Sequence, residues 1–152
     1  MGSFAAVIFI TLITGFLCCG ENATCPCADL STYFFDENPL YTKGEGCVSN
    51  VTCNTGWDTF LLVSWNETQI AEPDDSYNEH LSVDSGTQGV PINLYASYGF
   101  VCDNGGWYIT KYPYGVSYGL EVERNGSKIV ELEGKFDGLK SKINLIFCEK
   151  WP

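Results

Sequence analysis

Histidine is almost absent: His80 is the only one in 152 residues. That shortage removes most routes to a serine or cysteine triad, each of which needs an imidazole base. It also removes zinc sites built on several histidines, and the cysteines lack the paired CxxC spacing of a thiolate zinc site. No nucleophile elbow is expected, and no cofactor fingerprint is read. The chain therefore reads as a non-enzyme. Basic residues are scarce as well. Eight Lys and Arg face 19 Asp and Glu, for a net charge of −11. Residues 21 to 100 hold twelve acids and one base, Lys43, whereas residues 101 to 152 hold seven of each. Phosphate contacts need clustered cations, so the balance argues against nucleic acid and against anionic membranes as partners. Helical periodicity is missing after the first twenty residues, which argues against an α/β fold.

What the chain does have begins with an apolar run, Phe4 to Leu17, free of charge. Spanning a bilayer takes about 20 such residues, so the run suits a signal-peptide core better than a membrane helix. Cys18 and Gly20 are small residues placed for cleavage before Glu21. No Lys or Arg precedes the run, which leaves an uncleaved anchor as the alternative. The expectation is a signal peptide over residues 1–20 and one domain over residues 21–152, secreted to the extracellular space.

Cleavage there removes Cys18 and Cys19 and leaves Cys25, Cys27, Cys47, Cys53, Cys102 and Cys148. An even number of cysteines in an oxidising compartment implies three disulfides, with the connectivity open. Cys25 and Cys27 are too close in sequence to pair with each other, so each should pin the N-terminal segment to the body. Four sequons, at Asn22, Asn50, Asn66 and Asn125, predict a glycoprotein with these side chains facing solvent.

Strand signals dominate the remainder. Ile92 to Cys102 alternates apolar and polar residues and predicts a strand. Asp103-Asn104-Gly105-Gly106 predicts a turn into a returning strand from Trp107, which Pro113-Tyr114-Gly115 should break. Val116 to Val122 alternates again, with Glu121 and Glu123 on its solvated face. A hairpin tip at Asn125-Gly126 is expected to form a three-residue loop, Asn125 to Ser127, setting Val122 opposite Val130 and Leu120 opposite Leu132. Ser141 to Cys148 reads as one last strand. Val48 to Asn54 and Trp57 to Trp65 read as a hairpin around Asn54-Thr55-Gly56. Residues 66–89 hold six acids and no Lys or Arg and read as a long acidic loop, with a short strand near His80 to Val83. The sum is an all-β chain, a disulfide-stabilised antiparallel β-sandwich. Cys53 and Trp65 have the spacing of an immunoglobulin core, but Phe100 stands where that fold has Tyr, two residues before Cys102.

Cysteine order supplies a resemblance. Cys25-x-Cys27, the Cys47-x5-Cys53 pair, Cys102 followed at Trp107 by a tryptophan, and a final apolar strand ending at Cys148 resemble the small secreted six-cysteine domains of nematodes. They also resemble related nematode secreted domains of unknown function. The similarity covers most of residues 25 to 148, and the acidic stretch of residues 66–89 departs from it. The resemblance implies a fold and a compartment, and no activity.

Two groups remain as binding candidates. Trp107, Tyr108, Tyr112 and Tyr114 are flat rings with polar edges, suited to an extracellular protein or glycan. Asp74, Asp75, Asn78 and Glu79 offer hard oxygens to calcium but lack the EF-hand spacing and its glycine. A recognition module without catalysis is the first reading. A structural or matrix component without a specific ligand is the alternative.

Overall fold

The computed structural model describes residues 24–36, 39–54, 59–86, 89–122 and 126–148. The expected leader, Asn22, Trp57 and Asn125 lie outside them. Among the described residues the strands are β1 (Leu40–Lys43), β2 (Ser49–Asn54), β3 (Phe60–Ser64), β4 (Ser76–Asp84), β5 (Pro91–Asn93), β6 (Val101–Asp103), β7 (Gly106–Ile109), β8 (Val116–Val122), β9 (Gly126–Glu131), β10 (Ser141–Lys142) and β11 (Leu145–Phe147). One short helix, α1 (Leu94–Ser97), interrupts them. The strands form a five-stranded sheet ordered β11-β3-β4-β8-β9 and two three-stranded sheets, β1-β2-β5 and β10-β7-β6. Every strand pair is antiparallel. The all-β, disulfide-stabilised class read from the sequence is the class adopted.

Alternation explains the core. In the large sheet, Leu61, Val63, Leu81, Val83, Val116 and Ile146 all turn inward and are at most 1% exposed. The smaller sheets contribute Val51, Cys53, Ile92, Trp107 and Ile109 to the same continuous cluster. Three disulfides lock this arrangement: Cys25–Cys47, Cys27–Cys102 and Cys53–Cys148. Cys25 and Cys27 do not bond each other; each ties the N-terminal segment to a different part of the body.

The turn after Cys102 follows the sequence reading. Asp103 pairs with Gly106, and the two residues between them have positive φ, 48° at Asn104 and 80° at Gly105. That is the type I′ geometry, which matches the twist of the flanking strands. Replacing Gly105 by alanine puts a side chain into the left-handed region and should lower stability by about 1–2 kcal/mol in a urea unfolding curve.

Several expectations are corrected. Ile92 to Cys102 is not one strand but β5, α1 and β6. Leu94 and Tyr98 are four residues apart, so helical spacing also puts them on one face, and both are at most 1% exposed. Asn93 caps the turn by accepting from the Ala96 amide at 3.1 Å, and Gly99, with φ 59°, ends it. The stretch read as an acidic loop contains β4, the central strand of the large sheet. Of its two acids, Asp84 alternates with the buried Leu81 and Val83, and Glu79, within the register shift between Ser76 and Leu81, is exposed.

β2 and β3 exist close to their expected limits but do not pair. β2 joins β1 and β5, while β3 joins β4 and β11. Alternation states which face is buried and leaves the neighbour open. The last strand is also divided, because Asn144 accepts from the Ser64 amide at 2.5 Å and turns the chain from one sheet to the other. In the β8–β9 hairpin, Val122 pairs with Gly126 and Leu120 with Lys128. Val122 and Leu120 therefore do not face Val130 and Leu132, and the pairing is displaced by four residues along β9. This register places Glu121 opposite Ser127 and Glu131 opposite Ser117, which removes the facing pair of glutamates that the expected register required.

Candidate functional site

The outer face of the large sheet is built from the residues between the buried ones. Strand register arranges them in two rows. One runs Leu145, Leu62, Ser82, Ser117, Glu131, and the other Phe147, Phe60, Asp84. Large side chains therefore stand on the flanking strands and small hydroxyl side chains in the middle. A sheet face with bulk at its sides and serine at its centre is a trough. The trough has a volume of about 710 Å³, with Ser82 and Ser117 among its polar residues and Phe60, Tyr114 and Ile129 among its apolar ones.

The trough has an acidic end. Asp84 accepts a hydrogen bond from the Ser117 hydroxyl at 3.0 Å. Its backbone carbonyl accepts from the buried Tyr98 hydroxyl at 2.5 Å, and its amide donates to Gly115. Burial pushes the Asp84 carboxyl above its usual value, the Ser117 bond opposes that, and the negative charge of Glu131 adds to it. An acid whose folded pKa is raised binds more protons folded than unfolded. Its ionisation therefore lowers stability as pH rises from the unfolded value through the folded one. Asp84 is a carboxylate kept at a stability cost.

Tyr114 reaches the trough from the turn after β7. Its ring lies against Gly86, where φ is 88° and an added Cβ would meet the ring at 2.6 Å. Glycine is required there on both counts. Ser85, between Asp84 and Gly86, also lines the trough and is only 4% exposed.

The aromatic candidates divide. Trp107 and Tyr112 are buried, 2% and 7% exposed, so their rings belong to the core and not to a contact surface. Their polar edges are satisfied internally: the Trp107 indole donates to the Ala28 carbonyl at 2.7 Å, and the Tyr112 hydroxyl lies 2.6 Å from that of Ser141. Tyr108 is half-buried, with the Lys140 ammonium 5.9 Å from its ring centre. Only Tyr114 of the four is well exposed, at 49%.

Asp74, Asp75, Asn78 and Glu79 are all exposed. Asp75 accepts from the Tyr118 hydroxyl and Asn78 from the His80 amide. Among the described residues, the group of three His, Cys, Asp or Glu ligands within metal-sharing distance is Cys25, Cys27 and Cys102, whose sulfurs are all in disulfides. Of the sequons, Asn50 is exposed on β2 and bonded to Thr52 and Asn93, and Asn66 is exposed in the turn Trp65–Glu67.

Gly115-Val116-Ser117-Tyr118-Gly119 matches the G-x-S-x-G spacing of a nucleophile elbow. It runs along a strand instead of through a strand-to-helix turn, Ser117 is 5% exposed, and its hydroxyl donates to Asp84. No imidazole is among the trough residues, since His80 lies further along β4 opposite Ser64. The trough itself was the feature missed. Its signal was the alternation of Ser82 with Asp84 and of Ser117 with Gly119, small outward residues on two strands whose adjacency the sequence does not reveal.

Comparison with family models gives a match over residues 23–148, which spans every bonded cysteine and the whole trough. The chain belongs to the TRA-1 regulated protein R03H10.4 family. No curated protein and no solved structure matches it. The TRA-1 regulated protein R03H10.4 family is a nematode one, in agreement with the nematode character of the resemblance. The match does not itself define a six-cysteine class, and the TRA-1 regulated protein R03H10.4 family brings no assigned chemistry to the trough.

Proposed function

We propose that this chain is a secreted, glycosylated recognition module that binds an extracellular ligand without catalysis, and that the trough on the large sheet is its binding site. The trough is the observation that carries the reading. It combines apolar walls with a few polar groups, the usual composition of a ligand site, and its size falls within the ordinary range for one. Three disulfides and two exposed sequon asparagines support an oxidising, extracellular setting. The net charge of −11 supports a partner other than nucleic acid or an anionic membrane.

The alternative, a matrix component with no specific ligand, is favoured by the burial of Trp107 and Tyr112. One experiment separates the two. The purified protein is applied to glycan and extracellular-protein arrays beside two variants. Ser82→Trp fills the trough from its centre, and Val48→Ser alters an exposed residue outside it. Binding by the wild type and by Val48→Ser, lost in Ser82→Trp, is the expected result. Binding that survives Ser82→Trp would place the site elsewhere, and no binding at all would leave the matrix reading in its place.

A further inference from the structure

Asp84 uses one carboxylate oxygen to accept from Ser117. Its other oxygen has no partner among the described residues. Glu131, on the edge strand β9, takes part in none of the three ion pairs found there. No Lys, Arg or His is among the residues lining the trough. Ser85 adds an independent observation. It is 96% buried, taken from its 4% exposure, lines the trough, and its hydroxyl has no hydrogen-bond partner among the described residues. A buried hydroxyl without a partner costs free energy unless something satisfies it. Together these groups offer acceptors and negative charge, and a carboxylate can only accept.

From this juxtaposition of Asp84, Ser85 and Glu131 beside the Tyr114 ring, we infer that the trough binds a small organic ammonium ion. The inference rests on the recognition reading and adds the ligand's chemical class. An ammonium group supplies donors to the free Asp84 oxygen and to the Ser85 hydroxyl. It also relieves the repulsion between Asp84 and Glu131, which a neutral sugar leaves in place. Aromatic faces favour a cation further, and Tyr114 and Phe60 stand on the trough walls. An apolar body carrying the ammonium group would cover Phe60 and Ile129. A volume of about 710 Å³ suits a ligand of that size.

Amide resonances of the 15N-labelled protein are followed while 2-phenylethylamine, benzylamine, 2-phenylethanol, phenylacetate and Nα-acetyl-lysine amide are added separately. Saturable shifts at Asp84, Ser85, Gly86 and Ser117 are expected with the two free cations. The alcohol should bind about tenfold more weakly, and the carboxylate not measurably. Asp84→Asn keeps the shape and the Ser117 bond, and Glu131→Gln lies on an edge strand. Each should weaken 2-phenylethylamine about tenfold while leaving the urea midpoint at or above that of the wild type. Ser85→Ala should weaken it less, by about threefold. Equal affinity for amine and alcohol, or amine affinity unchanged in Asp84→Asn and Glu131→Gln, would overturn the ammonium assignment. Nα-acetyl-lysine amide stands for a lysine side chain presented by a peptide, and its seating with neither free amine bound would overturn the free-ligand assignment in favour of a protein partner. An array ligand lost in Ser82→Trp, with no response to any cation, would overturn the ligand class and leave the recognition reading standing.

Discussion

Replacing Cys53 and Cys148 together by alanine removes about 4–5 kcal/mol of stability, the largest loss expected from any one covalent change in this chain. These cysteines are 95 residues apart in sequence, and both are at most 1% exposed. Cys53 lies on β2 and Cys148 directly follows β11, so the bond joins a small sheet to the large one. Without it, the unfolded chain regains the entropy of a long loop, and the two sheets are held by packing alone. A domain is typically stable by only about 5–15 kcal/mol, so the loss removes between about a quarter and all of that margin. Urea unfolding followed by tryptophan fluorescence measures the loss. Loop length also orders the bridges. Cys27–Cys102 encloses 75 residues and Cys25–Cys47 only 22, for which the same treatment gives about 3 kcal/mol. Equal losses from all three pairs would show that the loop-entropy account does not govern this protein.

Trp107→Ala should cost about 3–5 kcal/mol, the usual range for deleting a buried tryptophan. The ring is 2% exposed and meets Tyr95 edge-on at 6.2 Å. Its indole N–H satisfies the Ala28 carbonyl, which lies between Cys27 and the turn that starts at Leu30. The alanine variant thus opens a cavity and strands a backbone acceptor at once. Trp107→Phe separates the two effects. It keeps most of the volume, loses the hydrogen bond, and should cost about 1–3 kcal/mol. Neither substitution touches the trough, so Trp107→Phe, which stays folded, should bind the wild type's ligands with unchanged affinity. A variant of wild-type stability with lost binding would return Trp107 to the contact surface.

Six cysteines in an oxidising frame implied three bridges, because thiols there pair and the number was even. Which cysteine meets which depends on the path of the chain through three sheets. Trp107 is a flat ring with a polar edge, a residue type that suits a contact surface or a core equally. Alternation separated it from Tyr108 correctly, but the choice of inward face is made by the whole core. The acidic stretch failed for a different reason. Asp84 adds to its polarity, yet a strand with one wet face carries an acid as readily as a loop does. Leu81 and Val83 were the better guide.

The local features were settled by the sequence alone. Positive φ at Asn104 and Gly105 and the alternation of Val116, Tyr118 and Leu120 with Ser117 and Gly119 on β8 follow from steric preference and from side-chain periodicity, which act over a few residues, whereas β7 ends at Ile109, ahead of the break expected at Pro113-Tyr114-Gly115. The trough required the tertiary structure. Ser82 and Ser117 are 35 residues apart and become neighbours only because β4 pairs with β8. Asp84, Tyr114 and Glu131 meet for the same reason. A strand's pattern states which of its faces is buried, and its hydrogen-bonding edges accept any partner of matching register, so the neighbours are decided by the packing of the whole core.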